Sequence, residues 1–177
     1  MIEGKLEMPN LLLISGNGRN VGKTFLACKI ISHFSKDEEM IGLKISPHFH
    51  DPGESKIVMQ SNYFTLVEED RISEKDSSLM LQAGAAKVYF LMVKQENLKI
   101  AFNYLHKILP QKPIVCESGG LREIVNPGVF LFVKRGADKF VKKDLFKYAP
   151  RIIENDGVRF GYDIQQLTLK DGHFFLG

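Results

Sequence analysis

The chain has 177 residues, 44% hydrophobic and 25% charged, the balance of a globular protein able to bury roughly two-thirds of its unfolded surface in one domain spanning 1–177. A net charge of +3 is too small to indicate a nucleic-acid partner. No apolar run approaches membrane-spanning length and Met1-Ile2-Glu3-Gly4-Lys5 lacks a signal-peptide pattern, so no membrane partner and a cytoplasmic location are expected.

The first apolar stretch, Leu11-Leu12-Leu13-Ile14, reads as a strand, and it leads into Ser15-Gly16-Asn17-Gly18-Arg19-Asn20-Val21-Gly22-Lys23-Thr24. Residues 23–35 then read as a helix with a wide apolar face of Phe25, Leu26, Cys28, Ile30, Ile31 and Phe34. Strand, glycine-rich turn and helix N-terminus in this order suit phosphate binding, because backbone N–H groups turn inward around an anion and the helix dipole adds positive charge. Lys23 is placed to reach the β- and γ-phosphates, and the Thr24 hydroxyl to sit on Mg²⁺. Gly16, Gly18 and Gly22 are expected to permit positive φ. The usual pattern has four residues between its first glycine and Gly-Lys; here five follow Gly16, and Asn17 stands where that glycine would be. Asparagine tolerates left-handed backbone better than most residues.

Ile41–Ser46 is a second predicted strand, stopped by Pro47, and 47–62 reads as a loop at the active edge. Tyr63–Val67 is a short strand. A helix is predicted from Ser73-Glu74-Lys75-Asp76 to a stop at Gly84. Lys87–Val93 is β-rich, and 95–109 has helical spacing through Leu98, Phe102, Leu105 and Leu109 until Pro110. Pro113–Glu117 is a buried strand ending in a carboxylate. A turn, a short helix and Asn126-Pro127-Gly128 lead to the strand Val129–Val133, followed by a basic helix near 138–148. That helix, with Lys139, Lys142, Lys143 and Lys147 opposite Phe140, Val141, Leu145 and Phe146, reads as a solvated face with an apolar stripe. The tail, 150–177, reads as a β extension of antiparallel strands, Arg151–Glu154 and Val158–Leu169 among them, with turns at Asp156-Gly157 and Asp171-Gly172. Cys28 and Cys116 form no C-x-x-C and read as core residues in a reducing compartment.

Alternating strands and helices imply an α/β fold, a mostly parallel sheet with helices on both faces and antiparallel strands at the C-terminus. Ligand sites in such sheets lie beyond the carboxyl ends of the strands. Three ends carry polar groups: the glycine-rich loop; Lys44 with Ser46, His48, His50 and Asp51; and Glu117-Ser118-Gly119-Gly120. Glu117 fits a Mg²⁺ or water-orienting role, or a carboxylate satisfied by backbone N–H groups. Asp51 fits a Mg²⁺-side or switch role. His48, His50 and Asp51 read as a transition-metal cluster or as solvent-exposed or hydrogen-bonding loop residues.

At these residues the chain resembles the MobB-type proteins, the molybdopterin-guanine dinucleotide biosynthesis adaptor family of P-loop NTPases. Beside the glycine-rich loop, the resemblance rests on Ile41-Gly42-Leu43-Lys44 before the histidine-containing loop. It rests also on Lys75-Asp76-Ser77-Ser78 leading into Ala83-Gly84-Ala85-Ala86, and on Glu117. It covers roughly residues 10–135. It implies a three-layer P-loop fold, guanine nucleotide binding, slow GTP hydrolysis, a homodimer and a protein partner in a cofactor biosynthesis pathway. The nucleotide-binding residues it implies are Gly16, Asn17, Gly18, Arg19, Asn20, Val21, Gly22, Lys23, Thr24 and Phe25. Lys23, Lys44 and Glu117 carry the chemistry, and Thr24, Glu117 and Asp51 the metal.

MobB-like loops usually read Gly-x-x-x-Ser-Gly-Lys-Thr, and their acidic strand end Glu-Gly-Phe. The longer loop here, with Val21 before Gly22, and Glu117-Ser118-Gly119-Gly120 are more similar to dethiobiotin synthetase, an ATP-dependent carboxylase. Lys44-Ile45-Ser46-Pro47 also resembles the substrate-contacting lysine segment of that family. An Asn-Lys-x-Asp signature for guanine is missing, and Lys134-Arg135-Gly136-Ala137-Asp138 has the wrong spacing for it. GTP and ATP therefore both stand, as do a MobB-like hydrolase, a small-molecule ligase or kinase, and a non-catalytic nucleotide-sensing module.

Overall fold

A computed structural model describes residues 4–70, 72, 76–136, 139 and 142–177. The elements in chain order are β1 (Leu6–Gly16), α1 (Lys23–Phe34), β2 (Ile41–Ser46), β3 (Lys56–Gln60), β4 (Phe64–Glu69) and α2 (Asp76–Gln82). β5 (Lys87–Val93), α3 (Leu98–Ile108), β6 (Ile114–Ser118), β7 (Val125–Arg135) and β8 (Arg151–Asn155) follow, then a hairpin of β9 (Leu167–Lys170) and β10 (His173–Leu176).

Among the described residues, eight strands form one sheet in the order β3-β4-β5-β2-β6-β1-β7-β8. The run from β5 to β8 is parallel, and β4 and β3 add antiparallel strands at one edge. The central strands read as unbroken apolar runs because both faces are covered. Leu11 and Leu13 enter the core on the α3 side with Leu43, Cys116, Phe102 and Leu105. Leu12 and Ile14 enter the other core with Val115, Leu26, Ile30 and the hairpin residue Phe174. From β1 the chain passes through α1 to β2 on one side, whereas β6 is followed by β7 on the other. The crevice beyond the carboxyl end of β1 therefore lies at a switch point of the strand order.

β2 and β5 fall where the periodicity places them, and Gly84, at φ 108°, ends the α2 segment in left-handed backbone. Other expectations are corrected. The 47–62 loop contains β3, an edge strand half exposed along its length and therefore without strong alternation. The strand predicted over Val129–Val133 is longer: β7 begins at Val125 and includes Asn126-Pro127-Gly128, with Pro127 opposite Met8 of β1. β8 pairs with β7 from Leu131 to Arg135, so among the described residues the missing N–H of Pro127 falls where β7 has no second neighbouring strand. A Cβ on Gly128 would lie 2.3 Å from the Pro9 carbonyl oxygen, so only glycine fits this approach.

In the tail, β8 joins the main sheet in parallel rather than as an antiparallel strand. Val158–Leu169 is likewise not one strand: it makes a single bridge from Asn155 to Phe160, and strand structure resumes at Leu167. The Asp163 carboxylate interrupts it by accepting the Gln165 N–H at 3.0 Å, capping a 3-10 turn. The Asp171-Gly172 turn forms as expected, with φ of 51° and 75°. The basic segment is a 3-10 helix over Lys143–Tyr148 that buries Leu145 and sets Phe146 against Phe132. Its predicted positions Asp138, Phe140 and Val141, the neighbouring Ala137, and the helix start Ser73-Glu74-Lys75, lie outside the described residues. Among the described residues no helix is long and apolar enough to cross a membrane.

Candidate functional site

The loop from Asn17 to Gly22 joins β1 to α1 and is pinned at its start, where the Asn17 N–H donates to the Val133 carbonyl at 3.0 Å. Gly18 (φ 125°), Asn20 (φ 57°) and Gly22 (φ 103°) are left-handed, a pattern that folds backbone N–H groups into an anion-accepting concavity. The left-handed asparagine is thus Asn20 rather than Asn17. Gly16 lacks positive φ and is needed for space, since a Cβ there would lie 2.9 Å from the Val133 carbonyl oxygen. Val21 is buried and anchors the loop in the core, and Arg19 is exposed at its tip. Among the described residues no side chain caps the α1 N-terminus, and its positive dipole end turns to the loop. Lys23 folds back so that its Nζ donates to the Gly18 carbonyl.

Beside the loop, the sheet register brings three distant groups together. Glu117 on β6 lies between Ile14 of β1 and Lys44 of β2 in neighbouring strands. Thr24 Oγ1 donates to Glu117 Oε2 at 2.7 Å, and Lys44 Nζ stands 3.7 Å from the same oxygen. Ser118 Oγ accepts the Gly120 and Leu121 N–H groups, fixing the turn after Glu117. Burial and the Glu117 charge push the thiol of the adjacent Cys116 well up from its ordinary value.

The 47–52 segment forms the rim. His48 Nε2 lies 2.6 Å from an Arg19 guanidinium nitrogen, and the His50 N–H donates to Met92 Sδ. Asp51 lines the same cavity, where its Oδ1 accepts the Gly53 N–H at 2.9 Å. Among the described residues no three His, Cys, Asp or Glu side chains gather as a metal cluster. The cavity has a volume of 750 Å³ and continues past Lys44 to Phe90, Met92, Glu69 and Ser77. Glu69 is buried, and each of its carboxylate oxygens accepts a hydroxyl hydrogen bond, from Ser55 at 3.1 Å and Ser77 at 2.8 Å.

Sequence reasoning missed what the tail contributes. Asn155 Nδ2 donates to the Val21 carbonyl at 2.9 Å, and its side chain and the Phe160 ring close over Gly22. Phe25 is 59% exposed, outside the apolar face assigned to it, and stacks on Phe160 with centroids 5.8 Å apart. Lys29 Nζ lies 5.2 Å from the Phe25 ring centroid. Asn155 and Phe160 carry no motif; the Asp-Gly turn between them was the only sequence signal that the chain reverses there.

Comparisons with protein-family models, with curated proteins and with solved structures find no significant match to this chain.

Proposed function

We propose that this chain is a Mg²⁺-dependent nucleoside triphosphate-binding protein of the P-loop NTPase class. In this reading it hydrolyses GTP or ATP slowly and acts as a MobB-like accessory to molybdenum cofactor assembly, as a homodimer with a protein partner. The observation that carries the reading is the meeting of Thr24, Lys44 and Glu117 beside a left-handed glycine loop over which Lys23 is folded.

Loop amides and the α1 dipole hold the phosphates, and Lys23 turns from the Gly18 carbonyl to their oxygens. Thr24 Oγ1 and Glu117 are hard oxygen donors 2.7 Å apart. That set fits Mg²⁺, which takes one or two protein oxygens and completes its shell with water and phosphate. The ion supplies charge neutralisation on the phosphate oxygens when bound. Lys44 holds Glu117 in register and faces the end of the phosphate chain. Little covalent chemistry is asked of the protein, because phosphoryl transfer rests on positioning and electrostatics.

A second reading is favoured by the cavity's extension to Glu69, Phe90 and Met92, which offers an apolar floor and a carboxylate beyond Lys44. That lobe suits a small-molecule acceptor, as in an ATP-dependent ligase or kinase resembling dethiobiotin synthetase. The test for both is a thermal-shift titration with Mg²⁺ and GTP or ATP, on wild type and Lys23→Ala. Saturation at about 100 times Kd adds roughly 2.7 kcal/mol, a rise of about 5–11 °C for this size. A rise lost in Lys23→Ala supports the reading. Selectivity for GTP favours the MobB-like role, and selectivity for ATP the ligase or kinase. No rise with either nucleotide overturns both.

A further inference from the structure

Lys142 lines the same cavity from the segment after β7, a part of the chain that sequence reasoning treated as a solvated basic face. Two anchors place it. The Asn17 side-chain amide donates to the Lys139 carbonyl at 2.6 Å, tying this segment to the first residue of the glycine-rich loop. At the other end, Lys142 Nζ lies 2.7 Å from where a Cβ on Gly119 would be, two residues beyond Glu117.

The ammonium is half-buried, and among the described residues its Nζ has no hydrogen-bond or ion-pair partner. Burial pulls its pKa below the ordinary lysine value. A partly desolvated cation without a counter-ion is unfavourable by itself and becomes favourable when an anion arrives. Gly119 fits this arrangement. Its φ is not left-handed, so no backbone strain requires glycine there, and the space a side chain would take is filled by the ammonium.

We propose that Lys142 is a phosphate-directed cation delivered in cis over the Glu117–Gly119 turn, a positioning residue that favours a triphosphate over a diphosphate. This rests on the nucleotide reading above. Loop amides cradle the inner phosphates, and the Thr24–Glu117 side faces the outer end of the chain, so a cation beyond Glu117 meets the terminal phosphate.

The experiment is calorimetric titration with Mg²⁺ and either a non-hydrolysable triphosphate analogue or the diphosphate. It uses wild type, Lys23→Ala, Lys142→Gln, Lys142→Arg and Gly119→Ala. Lys142→Gln is expected to weaken triphosphate binding by about tenfold or more while diphosphate binding stays within about twofold, as for one lost charge-assisted contact. Lys142→Arg restores most of the difference. Gly119→Ala, which pushes the ammonium aside with the lysine intact, repeats the pattern. If Lys142→Gln binds both nucleotides as wild type does, or weakens both equally, the proposal is overturned while the nucleotide reading stands on Lys23→Ala. If wild type binds neither, the nucleotide reading fails and this proposal with it.

Discussion

Thr24 Oγ1 and Glu117 Oε2 are hydrogen-bonded at 2.7 Å although 93 positions separate them in the chain. The bond links the first turn of α1 to the carboxyl end of β6, and Lys44 Nζ joins it from β2. Glu117→Gln keeps an acceptor for Thr24 but removes the charge beside Lys44. It is expected to lower stability in urea unfolding by about 1 kcal/mol. The Mg²⁺-dependent part of the nucleotide thermal shift should vanish with it. Retention of the full Mg²⁺ increment in Glu117→Gln would remove this carboxylate from the metal site.

Gly22 and Asn155 form a second long-range pair. Gly22 has φ 103°, and a Cβ there would lie 2.5 Å from Asn155 Nδ2. Gly22→Ala is expected to cost about 1–3 kcal/mol of stability from backbone strain. Asn155→Ala is expected to cost about 1 kcal/mol by losing the bond to the Val21 carbonyl. Because the single changes share one contact, the double variant should lose less than their sum. Additive losses by chemical denaturation would show that the tail does not clamp the loop.

Gly128→Ala probes packing away from the site. The new methyl would meet the Pro9 carbonyl oxygen at 2.3 Å and the Phe174 carbonyl oxygen at 2.8 Å, both backbone atoms that cannot swing aside. A loss of about 2 kcal/mol or more is expected, within the range for overpacking. Thermal unfolding unchanged from wild type would place the β9–β10 hairpin elsewhere.

Cys116 sets an alkaline limit. Its folded pKa is raised, first by burial and then by the Glu117 charge, so above the ordinary thiol value of 9.0 the unfolded chain loses a proton that the folded chain keeps. Stability contributed by this group is complete below that pH and falls as pH rises toward the folded value. Tyr89 and Tyr162, both raised chiefly by burial, add the same trend above 10.0. Cys116→Ala should flatten the decline between pH 9.0 and 10.0, measured as urea midpoint against pH. The thiol should also resist iodoacetamide in the folded protein while half-buried Cys28 reacts first.

The legible parts of this protein were those whose signal is local. β2 and β5 carry β-rich apolar runs, so their limits followed from spacing; α3 repeats apolar residues at Leu98, Phe102 and Leu105 within the predicted 95–109, where Gln95–Asn97 forms a 3-10 turn before the α-helix. β3 was hidden because an edge strand buries neither face fully. The path of β7 through Pro127 was hidden because proline and glycine weaken a strand pattern, and β8, paired with β7 from Leu131 to Arg135, leaves room there for a residue without an N–H. The direction of β8 was not legible either, since strand propensity does not distinguish parallel from antiparallel pairing.

The same division runs through the site. The sequence by itself determined the glycine-rich loop with Lys23 and Thr24, because a strand, a turn needing left-handed backbone and a helix start are consecutive residues. It also marked Lys44 and Glu117 as polar groups at strand ends. That they meet at one carboxylate oxygen, that Asn155 and Phe160 close over Gly22, and that Lys142 comes to lie beside Gly119 were decided by tertiary structure alone. Those contacts depend on which strands are neighbours and in what register. That choice is made by burying two apolar faces of one sheet, and it leaves no short-range trace in the chain.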